Sequence, residues 1–533
     1  MKSPVLILYY VLVAFAIHAQ SKNLDTSLSK FYIKAAIGGG IGINGDYNTE
    51  NNNGKVTNST TKIGSGVSFI ASAGCQFNSN LSAELSLGYF YGLNLNVFPP
   101  FDGNSEKLNG SMFQMIPSFV FSTSFGKLRP YIRTGLIIGL PEVYEDYSTR
   151  FTDVNGMYHI LDAKTEYYDG KGLGIQTSIG CTYTLNTKLS LFGEAILNDI
   201  NYTPLKGRII SYTVDGADIS YLLGSRIFSP SPVNFFFNAL SINAGIKFNL
   251  SNHNPQLLAK KDKKNNFYSR MSLGYGFSIN PDKINSYVTS YDKGPGGQIA
   301  YDQIISSSVE YIGSFSGGNG INASIGAGCM LNENIGFDLG LNETISNTLK
   351  SPGAVNSSNS VKYYSLSSQS GNMLQINPSL LLVTRIWKFS PYSRLGLLTG
   401  FGNVYRTYDT YSQSSNGAMT FDQIHSVWKY YGGASIGYNA VLGMSYPLNS
   451  KFDLYTEASF NNIYEIPTNA QMIEYTVNGV NSLNSENTSQ KSEVIKASYN
   501  TSDNNDPNKP TIESPIKFSF NAIVGSVGIK MRF

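Results

Sequence analysis

Side chains suited to chemistry are sparse in this chain of 533 residues, which has four histidines. His18 lies in an apolar leader-like stretch and His253 in a charged one, which leaves His159 and His425. Each sits in the third long polar stretch of its half. By the local frame of Tyr167-Tyr168 and Tyr430-Tyr431 they are offset by three residues. Asp153, Asp162 and Glu166 are near His159 in sequence, so a rim imidazole oriented by a carboxylate for acid–base work is the enzymatic arrangement on offer. Surface placement by chance accounts for both histidines more simply. There is no Ser-His-Asp arrangement, no HExxH and no CxxC. Asp503-Asn504-Asn505-Asp506 has the composition of a Ca²⁺ loop without its alternating spacing. Gly38-Gly39-Gly40 falls inside a strand pattern, where it permits curvature rather than cradling phosphate. No catalytic, cofactor-binding or metal residue is assigned, and the chain is read as a non-enzyme.

A different set of residues stands out because the chain is written twice. Gly74-Cys75-Gln76-Phe77-Asn78-Ser79-Asn80 matches Gly328-Cys329-Met330-Leu331-Asn332-Glu333-Asn334. Pro130-Tyr131-Ile132-Arg133-Thr134-Gly135 matches Pro391-Tyr392-Ser393-Arg394-Leu395-Gly396, and Tyr212-Thr213-Val214-Asp215-Gly216 matches Tyr475-Thr476-Val477-Asn478-Gly479. Gly245-Ile246-Lys247 matches Gly528-Ile529-Lys530, and the order is the same throughout, the mark of a tandem duplication. On this frame Lys34, Glu84, Arg133, Glu194 and Lys247 correspond to Arg270, Asp338, Arg394, Glu457 and Lys530. The sign of the charge is kept at all five places. A carboxylate enclosed in a narrow space needs a cation or hydrogen bonds, so these residues are expected to form a structural charge network, a ladder through Glu84, Arg133 and Glu194 braced by Lys34 or Lys247. An ion-selective filter is the functional alternative.

The elements that would carry this network alternate with period two. Leu81, Ala83, Leu85, Leu87, Tyr89 and Tyr91 share one face, and Ser82, Glu84, Ser86, Gly88 and Phe90 the other. Eight such segments per copy are expected near 31–43, 62–77, 80–92, 112–125, 127–140, 172–185, 188–198 and 236–250, then near 267–279, 318–331, 334–346, 372–387, 389–402, 432–448, 451–461 and 517–533. Each is long enough for a tilted strand to cross a bilayer, which takes about 9–11 residues. Tight turns such as Asn78-Ser79, Gly126-Lys127 and Asn186-Thr187 alternate with long polar stretches near 44–61, 93–111, 141–171 and 199–235. Short turns on one side and long loops on the other are the pattern of outer-membrane barrels, and Tyr89, Tyr91, Phe125, Tyr183 and Phe248 fit interfacial girdles. A soluble β-sandwich alternates too, but rarely with connections so regular or strands so long.

Composition agrees. Charged residues are 14% and the net charge is +3, too little for nucleic-acid binding by bulk electrostatics. Residues 1–19 read as a secretory signal peptide, and no later apolar run is long enough for a spanning helix. Cys75, Cys181 and Cys329 are an odd count and read as small hydrophobes rather than a disulfide framework.

With its Pro-Tyr-x-Arg-x-Gly strands at 130–135 and 391–396 and its ending Gly528-Ile529-Lys530-Met531-Arg532-Phe533, the chain resembles small outer-membrane β-barrel proteins of the OmpA-like type. The resemblance covers nearly all of the mature chain, twice. It implies an eight-stranded up-and-down barrel with four surface loops, and makes terminal Phe533 the signal read by the barrel-assembly machinery. The departure is the duplication itself. The expected fold is all-β and antiparallel: a barrel over 20–250, a polar linker over 251–266 and a second barrel over 267–533, with one sixteen-stranded barrel as the alternative. The expected role is structural or loop-mediated interaction at the cell surface, in contact with outer-membrane lipid and an unspecified extracellular ligand, without a cofactor. A solute pore through a single large barrel is the alternative function, and a barrel enzyme the third.

Overall fold

The computed structural model describes residues 31–250 and 267–533, apart from 44–45, 53–54, 62, 94, 102–103, 153–155, 223–225, 229–233, 280–281, 287–290, 294–298, 305–310, 359–360 and 414–420. The expected signal peptide and the linker at 251–266 lie outside the described residues.

In the first unit eight strands close on themselves: β1 Phe31–Gly42, β2 Gly66–Gln76, β3 Leu81–Gly92, β4 Asn104–Ser122, β5 Leu128–Thr152, β6 Gly172–Thr184, β7 Leu189–Tyr202 and β8 Ala239–Asn249. Each pairs antiparallel with its successor, and β8 returns to β1 with Lys34 opposite Lys247. The second unit repeats this with β9 Phe267–Ser278, β10 Gly320–Met330, β11 Ile335–Ser346, β12 Val361–Val383, β13 Ser390–Gln413, β14 Ser435–Pro447, β15 Phe452–Asn462 and β16 Ala522–Arg532. There β16 returns to β9 with Arg270 opposite Lys530. Closure after eight strands in each copy replaces the single sixteen-stranded alternative with two barrels.

The short turns are built by one device. The Oδ1 atom of Asn78 accepts from the backbone N–H groups of Asn80 and Leu81, at 2.8 Å each. Asn186, Asn332 and Asn449 do the same in their turns, at 2.8–3.0 Å. Satisfying two backbone donors from one side chain is what asparagine does well in turns, and it explains why that residue survives in both copies. The remaining short turn needs a left-handed residue. It is Gly126 (φ 65°) in the first copy and Trp387 (φ 58°) in the second.

Strands run further than the periodicity predicts at the long-loop end. β4 begins at Asn104, β5 continues to Thr152, β12 begins at Val361 and β13 continues to Gln413. These extensions pair with each other, and those of β5 and β13 pair with the loop strands Tyr158–Tyr168 and Phe421–Tyr431, which in turn pair with Lys206–Val214 and Asn469–Val477. The polar stretches read as loops thus carry a sheet of their own, because Tyr- and Thr-rich segments pair well even where one face is wet.

Outward positions on the barrels are apolar and exposed, among them Ile33, Ile37, Leu85, Leu87, Leu191 and Ile246 in the first and Met271, Leu273, Ile325, Leu339 and Ile529 in the second. Phe31, Phe125, Tyr183 and Phe248 ring the short-turn end of the first barrel, and Tyr89 and Tyr91 stand toward the other. An apolar band between aromatic girdles is the exterior that lipid selects.

Candidate functional site

Inside each barrel the predicted charges meet. Lys34 on β1 is 3.2 Å from Glu84 on β3. Glu84 is 3.9 Å from Arg133 on β5, and Arg133 is 2.8 Å from Glu194 on β7. Cation and carboxylate alternate, each on an odd-numbered strand, because alternate strands contribute to one layer of a barrel interior. The even strands supply small residues at the same level. Gly74 and Ser118 are opposite Glu84 in register, and Gly180 is opposite Glu194. The second barrel repeats the chain. Arg270 is 2.7 Å from Asp338, Asp338 is 3.7 Å from Arg394, and Arg394 is 3.1 Å from Glu457.

Four tyrosines outside the predicted network complete it, two of them in the repeated Pro-Tyr-x-Arg strands. Tyr32 donates to Glu84 and Tyr131 to Glu194, both at 3.1 Å. Their counterparts Tyr268 and Tyr392 donate to Asp338 at 2.8 Å and Glu457 at 2.7 Å. Each ring lies over a glycine of a neighbouring strand: Tyr32 over Gly74, Tyr131 over Gly180, Tyr268 over Gly328 and Tyr392 over Gly443, where an added Cβ would overlap the ring. The visible signal was there, in the Tyr-x-Arg and Tyr-x-Lys/Arg pairs that put both side chains on one face two residues apart. All four carboxylates are buried.

Lys247 stands apart from this ladder. Its ammonium lies 3.7 Å from the centroid of the Tyr32 ring, and no carboxylate is within ion-pair distance of it among the described residues. Its counterpart Lys530 is 3.2 Å from Asp453, a residue the sequence reading did not select, which also holds Arg532 at 2.8 Å.

Toward the long loops the interior turns apolar. In the first barrel Phe90, Met112, Ile116, Ile137, Ile200 and Phe237 form one buried cluster. In the second, Met373, Leu398, Val404, Ile463, Phe518 and Phe520 do so. The seal is fastened alike in both. The Oδ1 atom of Asn238 accepts from the N–H of Ile200 at 2.9 Å, and that of Asn521 from the N–H of Ile463 at 2.8 Å. Each interior is thus a polar half and a dry half, with side chains throughout, as an eight-stranded barrel's width allows.

The loop histidines pair with acids. His159 Nδ1 is 2.7 Å from Asp215, which also accepts from the N–H of Ile160. That backbone bond, then His159, hold the Asp215 carboxyl below its usual range. Asn478, the counterpart of Asp215, makes the same turn bond to Gln423, so the acid's place is set by the turn. His425 Nδ1 is 2.6 Å from Asp409. Asp503 accepts from the N–H of Asn500, and Asp506 from that of Asn508 while pairing with Lys509 at 3.2 Å, so both carboxylates are engaged locally. Elsewhere in the first loop sheet, burial and then Glu145 push the Glu106 carboxyl up to about 7. Phe533, the expected assembly signal, is exposed just past β16.

No family model matches the chain, and no curated protein matches it. Among solved structures it is similar to Neisserial surface protein A, at 13% identity over 41% of this chain and 97% of that one, with a TM-score of 0.20. It is similar to CarO of Acinetobacter baumannii, at 12% identity over 43% and 99%, TM-score 0.18. It is also similar to the toluene transporter TodX of Pseudomonas putida, at 9% identity over 95% and 90%, TM-score 0.19. These likenesses are distant, and the functional reading rests on the chain's own geometry.

Proposed function

We propose that this chain is a non-catalytic integral protein of the outer membrane, in which two sealed barrels anchor loop-borne sheets that meet a partner at the cell surface. The observation that carries this is the filling of each interior, an ion-pair ladder in one half and an apolar seal in the other. A lumen so filled supports anchoring rather than passage of solutes. The apolar exterior with its girdles fits lipid. Phe533 closing the last strand fits a signal for the barrel-assembly machinery, and residues 1–19 fit an export signal. The loop sheets present exposed Tyr158 and Tyr221, amphipathic residues that serve well in protein recognition.

Two measurements test this. The refolded chain in a planar bilayer is expected to be silent or to show rare small flickers, and stable porin-sized steps would overturn the sealed reading. In whole cells, with the three native cysteines replaced by alanine, Tyr221→Cys is expected to react with a membrane-impermeant maleimide and Ser79→Cys to remain unreacted. The reverse pattern would refute the assigned orientation.

A further inference from the structure

We infer that the short-turn mouth of the first barrel is a binding site for one oxyanion group, a phosphate, which the second barrel has replaced with a carboxylate of its own. The two copies make the argument. In the second, Asp453 on β15 stands opposite Lys530 on β16, and their side chains pair at 3.2 Å. In the first, the same register places Ser190 opposite Lys247. The cation has been kept where its partner is absent.

The Tyr32 ring lies 3.7 Å from the ammonium, but among the described residues no carboxylate takes the place of Asp453. Glu84 is bound by Lys34 and Tyr32. Lys34 stands opposite Lys247 in register and carries the same charge. Asn249, in place of Arg532, spends its amide on the carbonyl of Thr187. With the mouth residues included, the first lumen carries four cations, Lys34, Arg129, Arg133 and Lys247, against the two carboxylates Glu84 and Glu194. The second sets Arg270, Arg394, Lys530 and Arg532 against three, Asp338, Glu457 and Asp453, so the first has the larger excess of positive charge. A half-buried ammonium without a counterion is unfavourable, while an arriving anion forms a charge-assisted bond. Lys247 and Arg129 are both half-buried at the mouth, so they are reachable from the solvent on that side. The phosphate has two sources, a free anion or the headgroup of an anionic lipid in the adjoining leaflet.

The test uses the full mature chain. In micelles, the transverse relaxation of the ³¹P signal of inorganic phosphate is measured with wild type, Lys247→Gln and Ser190→Asp, each shown to be folded by a heat-modifiable gel shift. Wild type is expected to enhance relaxation at least threefold over Lys247→Gln, and Ser190→Asp, which installs the second barrel's pairing, is expected to fall to the Lys247→Gln level. In nanodiscs of phosphatidylcholine with phosphatidylglycerol, native mass spectrometry counts retained anionic lipid for the same proteins. A variant-dependent difference only in the first arm assigns the site to a free anion, and one in the second to a headgroup. Equal behaviour of wild type and Ser190→Asp in both arms overturns the inference. Neither arm depends on which compartment the mouth faces, so failure here and failure of the surface-anchor reading are separate results.

Discussion

Arg394→Met removes the central cation of the second barrel's ladder while keeping the length and apolar volume of the side chain. Arg394 is nearly inaccessible and bridges Asp338 at 3.7 Å and Glu457 at 3.1 Å. The two carboxylates are not equally exposed to its loss. Asp338 keeps Arg270, which reaches it through Nε at 3.0 Å and Nη2 at 2.7 Å. Among the described residues, Glu457 then keeps the Tyr392 hydroxyl, at 2.7 Å, as its one hydrogen-bond partner. Stranding a buried charge costs about 3–5 kcal/mol, and here nearly all of it falls on Glu457. With a urea slope of about 3 kcal/mol/M for a unit of this size, the midpoint drops by roughly 1–2 M. Neutralising the stranded acid, in Arg394→Met with Glu457→Gln, is expected to restore more than half of that. The assay is equilibrium urea unfolding in lipid vesicles, followed by tryptophan fluorescence. Both tryptophans, Trp387 and Trp428, lie in the second unit, so the signal reports that barrel alone. A loss below about 1 kcal/mol, well short of the buried-pair range, or a double variant no better than the single, would refute the assignment of a stranded Glu457.

Phe520→Ala takes a fully buried ring out of the second seal and is expected to cost about 3–5 kcal/mol, with brief conductance flickers absent from wild type in bilayer recordings. Gly443→Ala would push the Tyr392 ring off its seat, at about 1–3 kcal/mol, and adding Tyr392→Ala is expected to relieve the overlap, read by the same urea midpoint. Trp387 holds a left-handed conformation that glycine adopts in the first copy, so Trp387→Gly is expected to stabilise the second unit by about 1 kcal/mol, measured by far-ultraviolet circular dichroism. Glu106, whose carboxyl sits near 7 in the folded loop sheet through burial and then Glu145, binds its proton more tightly there than in an unfolded chain. Its contribution is therefore full below the ordinary glutamate range and is lost as pH rises toward and through 7. Amide protection in residues 104–110, corrected for intrinsic exchange, should fall between pH 5 and pH 8 in wild type and stay level in Glu106→Gln.

The barrels were legible because lipid and lumen impose opposite demands on alternate residues. The Leu81–Tyr91 face pattern and Asn-centred turns are local consequences of that demand, and a sequence records them directly. The charge ladder was legible for another reason: the second copy repeats the sign of each charge, so ten positions stood out against a diverged background. The Tyr-x-Lys and Tyr-x-Arg pairs put Tyr32 and Tyr131 beside that network, but their role as donors rests on a glycine of a neighbouring strand that seats each ring, which no single segment reveals. The apolar seal was hidden similarly. Phe237 and Phe520 fall at the loop-side ends of the expected segments 236–250 and 517–533, but they precede the strands themselves and enter the lumen from the loop side, where alternation carries no sign of a seal. The extensions of β5 and β13 past the membrane carry little apolar contrast, so the periodicity that marks their lower parts fades.

The separate closure of each copy also bears on how such a chain arises and how it could be taken apart. A ring of strands that bonds back to its own first member presents no open edge to a newly appended copy. Duplication then adds a second self-sufficient module instead of requiring the ancestral sheet to reopen and widen. Each module keeps its own interior chemistry and is free to drift, as Ser190 and Asp453 have. By the same logic, genes encoding residues 20–250 and 267–533 separately, each behind an export signal, would yield two independent proteins, and loop exchange between them would be a route to new surface specificities without disturbing either wall.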